Sequence, residues 1–174
     1  MEDFCVALAG VPVRIRCRFE GNKAFLSDYV TDGEPLFPVE PTEDDLLRMQ
    51  ADFDRMDEAE GIPRHRRTEE FLENNAIHAL LAEKLVAQDV LLMHGSALCM
   101  DGEGIIFTAK SGTGKSTHAR LWREAFGDRV WMVNDDKPLL KITETGVTVY
   151  GTPWDGKHRL RHLPRAGYPL PGSA

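Results

Sequence analysis

Long apolar runs are missing from this chain of 174 residues. None approaches the roughly 20 residues a helix needs to cross a bilayer, so no membrane partner is expected. Cysteine is scarce as well: Cys5, Cys17 and Cys99 are odd in number, far apart and outside any Cys-x-x-Cys pattern, which excludes a disulfide framework or a zinc site. Positive charge is outnumbered, 21 Lys and Arg against 28 Asp and Glu, for a net charge of −7. A general nucleic-acid binder or a protein of anionic membranes is thereby excluded, because phosphate fields would repel it. The start, Met1-Glu2-Asp3-Phe4-Cys5, is acidic where a secretory signal would be basic, and the expected location is cytoplasmic. Internal repeats, low-complexity segments and long linkers are also lacking. With 42% hydrophobic residues, the chain is expected to bury one core as a single domain, residues 1–174.

Periodicity organises what is there. Val11, Val13, Ile15, Cys17 and Phe19 alternate with Arg14, Arg16 and Arg18, which is a half-buried strand. Residues 4–8 supply its hairpin partner through Ala9-Gly10, and residues 25–30 a third strand, so the expectation is a small antiparallel layer. Thr42 caps an acidic helix whose stripe is Leu46, Leu47, Met49, Phe53 and Met56. Arg64-His65-Arg66-Arg67 reads as a linker. A second helix runs from Thr68 to about Ala87 on Phe71, Leu72, Ile77, Leu80, Leu81, Leu85 and Val86. Asp101-Gly102 turns a hairpin between residues 97–100 and 105–107. These elements divide the chain into an amino-terminal β-rich layer with its acidic helix (1–63), a core (64–157) and a tail (158–174). The tail holds Pro164, Pro169 and Pro171 without period, so it is expected to be loosely ordered, in a chain shortened at its carboxyl end.

Chemistry enters after the hairpin. Ala109-Lys110-Ser111-Gly112-Thr113-Gly114-Lys115-Ser116-Thr117 fits a phosphate-binding loop, with Ala109 where the strict pattern has Gly. Gly112 and Gly114 let the backbone curl so that successive N–H groups face phosphate oxygens at the start of the next helix. Lys115 is suited to the β- and γ-phosphates and the Ser116 hydroxyl to magnesium. A plain glycine turn capped by Ser116 is the competing reading, and the strand before and helix after the loop disfavour it. Twenty residues beyond Lys115, the strand at 130–133 delivers Asn134-Asp135-Asp136 to its carboxyl end. Adjacent acids suit two roles, one holding metal and one taking a proton. Read alone, the same triplet is an ordinary turn, and His94 alone is an ordinary turn histidine. Gly151-Thr152-Pro153-Trp154-Asp155-Gly156-Lys157-His158 is a glycine-rich loop, either a surface turn or a substrate loop.

Met93-His94-Gly95, the hairpin, Ser111-Gly112-Thr113-Gly114-Lys115-Ser116 and Val133-Asn134-Asp135-Asp136, in that order and spacing, resemble the catalytic core of HPr kinase/phosphorylase, which shares its fold with ATP-dependent phosphoenolpyruvate carboxykinase. The resemblance covers residues 91–141 well and 151–157 loosely. It implies an α/β or α+β chain with a P-loop core and mixed sheet, binding ATP and Mg2+ and passing the γ-phosphate to a protein or small-molecule acceptor. It implies His94 beside the transferring phosphate, Lys115 on phosphate, Asp136 as proton acceptor, and Ser116 and Asp135 toward the metal. Residues 111–117 would cradle the nucleotide. The family's metal-binding glutamate has no counterpart, since Val149-Tyr150-Gly151 stands in that place. The acceptor is unidentified, and homo-oligomer formation is left open. A shikimate-kinase-like enzyme and a carboxykinase relative are rival enzymes; a nucleotide-binding regulatory module with little turnover is the rival of another class. A GTPase is disfavoured, because Asn134-Asp135-Asp136-Lys137 is not the guanine signature.

Overall fold

The computed structural model describes residues 1–110, 112–156 and 166–172. It is a mixed α/β chain with several sheets, and it divides into two compact units. The first comprises Met1–Val6 with Pro12–Lys84, the second Ala7–Val11 with Leu85–Ala174. Among the described residues, no helix is long and apolar enough to cross a membrane.

In the first unit the alternation read over residues 11–19 forms a strand only as far as Cys17, and Phe19 instead stands at the start of α1 (Glu20–Phe25). β1 (Glu2–Leu8) and β2 (Val11–Cys17) meet through Ala9 and Gly10, both at positive φ, and Val11, Val13, Ile15 and Cys17 are buried. The third strand is not at 25–30. That stretch ends α1 and continues as a 3-10 turn (Ser27–Tyr29), because its buried residues Leu26 and Tyr29 are spaced three apart, which suits a helical turn and not alternation. Only Val30 joins the sheet, bridging to Val6. The third strand is β3 (Phe37–Val39), and it lies parallel to β2. The layer is therefore mixed, not antiparallel, since the helical crossover returns the chain in its original direction.

α2 (Glu43–Glu60) begins at Thr42, whose hydroxyl accepts from the Asp45 N–H while the Asp45 carboxylate accepts from the Thr42 N–H at 2.8 Å. α3 (Glu69–Leu85) packs Leu72 and Ala76 against Leu46, with Met49 and Phe53 beside them. Leu47 and Met56 fall outside the buried stripe and are exposed. The basic run at 64–67 is more than a linker: Arg67 donates to both Asp57 oxygens, at 2.9 and 3.0 Å, and lies over the Phe53 ring. Glu73, wholly buried on α3, accepts from the Arg18 and Phe19 N–H groups and from Asn22 Nδ2.

The second unit is layered. One sheet has the order β6-β5-β7, built from β5 (Ser96–Met100), β6 (Glu103–Phe107) and β7 (Val130–Asn134). The other has the order β10-β9-β8-β4, from β4 (Val90–Leu92), β8 (Leu139–Thr143), β9 (Gly146–Tyr150) and β10 (Gly167–Pro169). Period two decides what each strand touches. Ala97, Cys99 and Val133 pack with Val149 and Tyr168 of the second sheet, whereas Leu98, Val130 and Met132 pack with Ala119 of α4 (Lys115–Phe126). Gly104 permits this approach, since a Cβ there would lie 2.6 Å from Val149 Cγ1. The expectation of a loose tail is corrected at 167–169: β10 pairs antiparallel with β9 and buries Tyr168. Residues 157–165 and 173–174 lie outside the described residues.

Candidate active site

Strand direction gathers the site. β5 runs antiparallel to both β6 and β7, so the carboxyl ends of β6 and β7 meet the start of β5 at one edge, with Ser96 opposite Phe107 and Ala97 opposite Asn134. The loop after β6, the acidic pair after β7 and His94 before β5 all leave from that edge. Gly95 holds it together. A Cβ there would sit 2.9 Å from the Phe107 carbonyl oxygen, so only glycine lets the chain pass from His94 into β5.

Both loop glycines adopt the backbone that favours glycine. Gly112 (φ +77) and Gly114 (φ +92) are left-handed, and Gly114 caps α4 without a side chain to offer. No acidic residue stands in the first turn of α4. The Thr113 hydroxyl donates to the Lys110 carbonyl at 2.7 Å, and the Lys115 ammonium spans the loop to the Ala109 and Lys110 carbonyls at 2.9 and 3.2 Å. Lys115 thus bonds within the loop and not to the acids. Ser116 is half-buried and Thr117 exposed at the start of α4. Ser111 lies outside the described residues.

The acidic pair is braced by Asn134. Its buried Oδ1 accepts from the Asp136 and Lys137 N–H groups, at 3.0 and 2.6 Å, while its Nδ2 donates to the carbonyl and hydroxyl oxygens of Thr152. This turn gives the two carboxylates different surroundings. Asp135 is buried, and its Oδ1 accepts from the Ser96 hydroxyl at 2.8 Å; its N–H donates to the Asp155 carboxylate. Asp136 has a side chain 37% exposed, with His94 Nε2 at 3.3 Å and Lys137 Nζ at 3.8 Å from its Oδ1. Gly156, at φ +61, brings the 151–156 loop against Asp136.

Burial first, then the charges of Lys137 and Lys115, push the His94 imidazole below its ordinary value, against an opposing pull from Asp136. A mostly neutral imidazole is the result near neutral pH. The arrangement can hold a carboxylate open to solvent beside a histidine and a lysine, with a second carboxylate fixed behind it.

The expected residues His94, Asp135 and Asp136 are therefore brought together, and Lys115 acts on His94 through its charge. Ser96 and Lys137 belong to the same cluster and were not singled out from the sequence, whereas Thr152 and Asp155 come from the glycine-rich loop read as a surface turn or a substrate loop. Asn134 carried a readable signal, because Asn before two acids commonly folds back on its own backbone. Thr152 and Asp155 were legible only as members of a candidate loop, since their contacts with Asn134 and Asp135 depend on that loop returning from another sheet. Among the described residues, no group of three or more His, Cys, Asp or Glu side chains stands ready for a metal. Compared with known proteins, the chain matches no family model and no curated sequence.

Proposed function

We propose that the second unit is a P-loop phosphotransferase core of the HPr kinase and carboxykinase type, which binds Mg-ATP and transfers its γ-phosphate to a hydroxyl acceptor. The observation that carries this reading is the pairing of His94 with the half-exposed Asp136, at the same sheet edge from which the glycine loop and Lys115 depart. Amides at residues 112–116 and the Lys115 ammonium would hold the phosphates, exchanging two carbonyl contacts for charged oxygens. The Ser116 hydroxyl and the Asp135 carboxylate would hold magnesium, since both offer the hard oxygen ligands it prefers. Magnesium would supply charge neutralisation at the bridging and γ-phosphate oxygens.

In the transfer, the acceptor oxygen forms a bond to the γ-phosphorus, the bond to the β–γ bridging oxygen breaks, and ADP departs with that electron pair. The acceptor proton passes to Asp136. Asp136 suits this role better than Asp135, whose oxygen is already engaged by Ser96. His94 and Lys137 flank the carboxylate and would orient it.

The test is product analysis with Mg-ATP labelled at the γ-phosphate, offering serine-bearing proteins and small alcohols as acceptors. Transfer in the native chain, and its loss together with nucleotide affinity in a folded Lys115→Ala variant, is the expected result. Unchanged affinity and turnover in that variant would remove the phosphate-binding role. Tight binding without transfer to any acceptor would favour a nucleotide-binding module instead.

A further inference from the structure

The first unit holds a groove of about 400 Å3 that the proposed phosphotransfer does not use. Its volume falls within the roughly 300 to 1,000 Å3 typical of small-molecule sites. The floor is apolar, made of Leu46 and Leu47 on α2 and Leu72 on α3. The opposite wall is the basic stretch 64–67. Gln50 lies on the same helical face as the two α2 leucines, three and four residues further along, and it clamps that wall in place. Its Nε2 donates to the His65 carbonyl at 3.1 Å, and its Oε1 accepts from the Arg67 N–H at 3.0 Å. At the two ends of the stretch, Arg64 bonds to Glu58 and Arg67 to Asp57, at 2.6 and 2.9 Å. The groove is thereby preformed, and Leu47, 66% exposed, keeps an apolar side chain in contact with water inside it.

Charge decides what fits. Three carboxylates line the groove, and each is already engaged: Glu43 with Arg18 at 3.2 Å, Glu69 with the same guanidinium at 3.9 Å, and Asp54 with the Gln50 amide at 2.6 Å. The cations are not equally committed. Every other arginine of the first unit has a carboxylate partner, whereas the exposed Arg66, which lines the groove, has none among the described residues. One uncommitted positive charge therefore stands beside an apolar floor. A ligand with several negative charges would be repelled by Glu43, Asp54 and Glu69, so a single carboxylate matches the groove and a polyanion does not. The flat guanidinium fork suits a carboxylate, which it meets with two parallel hydrogen bonds.

We propose that this groove binds a small apolar monocarboxylate, with its hydrocarbon body on Leu46, Leu47 and Leu72 and its carboxylate on Arg66. The site uses no residue of the glycine loop, so it stands or falls separately from nucleotide binding.

The test is an amide-resolved titration of the full chain with octanoate. Octan-1-ol serves as the body without the charge, and acetate as the charge without the body. Octanoate should give saturable shifts at residues 46–50 and 64–72 and bind about fivefold more tightly than octanol, the scale of an ion pair at an exposed site. Acetate should give no saturable shift. Arg66→Ala should bring octanoate down to the affinity of octanol and leave octanol unchanged, whereas Leu47→Gln should weaken both alike, by about threefold or more. Both substitutions fall at exposed positions, and an unchanged melting temperature verifies the fold. No saturable shift with octanoate, unchanged octanoate affinity in Arg66→Ala, or shifts centred elsewhere would overturn the site. A glutamate-rich peptide that binds more tightly than octanoate would overturn the single-charge ligand in favour of a partner protein. A dimer in sedimentation that Leu47→Gln dissociates would overturn it in favour of a second copy over the groove.

Discussion

Backbone N–H groups left over at element starts are treated in opposite ways by the two units. In the first, the chain supplies its own oxygens: Thr42 and Asp45 close a reciprocal pair at the start of α2, and buried Glu73 takes the Arg18 and Phe19 amides. In the second, α4 starts at a left-handed glycine with no capping side chain and no acid in its first turn, and a lysine stands there instead. An unpaired helix start with positive charge beside it is stabilised by an anion from outside. At these starts the first unit spends its polar groups on holding itself together, whereas the start of α4 has no side-chain cap, the opening that the proposed nucleotide would use.

That contrast can be broken at either end. The largest effect expected is on chemistry: Asp136→Asn should lower the catalytic constant by about 10²- to 10⁴-fold with little change in nucleotide affinity, since a general base is lost and the phosphate contacts are kept. Single-turnover rates alongside ATP titrations read the two quantities separately. If the substitution costs only stability, Asp136 is a turn residue and no more.

Next comes the self-satisfied unit. Glu73→Ala removes the acceptor of four donors, two on the backbone and one each on Arg18 Nε and Asn22 Nδ2, and should cost about 3 kcal/mol or more of folding stability. Thr42→Ala should cost about 1 kcal/mol through loss of the cap. Denaturant unfolding measures both. Neither should alter nucleotide affinity, and a loss of binding in either would mean that the two kinds of helix start are not separate in function.

The smallest effect concerns pH. Because the folded His94 imidazole is held below its ordinary value of 6.5, the unfolded chain takes up a proton on it at higher pH than the folded chain does. Its contribution to stability is full above the ordinary value and is lost as pH falls through the depressed one. A nuclear magnetic resonance titration should place the His94 midpoint below 6.5, and Lys115→Ala should move it upward by removing one neighbouring positive charge. A midpoint at or above 6.5 in the native chain would contradict the crowded site described here.

What was legible in the sequence follows from range. The alternation from Val11, the Thr42 cap and the Asp101-Gly102 turn are local patterns, and each gives the element expected of it, the strand stopping at Cys17 short of Phe19. β3, β4 and β10, each three residues long, carry too little period to read, and Pro38 and Pro169 argue against strands until a partner is known. The candidate site divides in the same way. Lys115 and the acidic pair announce themselves by spacing, whereas the contact of His94 with Asp136 exists only because β5 lies between β6 and β7. Ser96 and Asp155 owe their places beside Asp135 to tertiary structure alone.

The most direct measurement is an amide-resolved resonance spectrum of the full chain with and without Mg-ATP. The account predicts large shifts at the N–H groups of residues 112–117, with the Asp45, Arg18 and Phe19 amides unmoved because the chain's own oxygens already hold them. Amides 112–117 that stay unshifted at millimolar nucleotide, or shifts confined to the first unit, would contradict it.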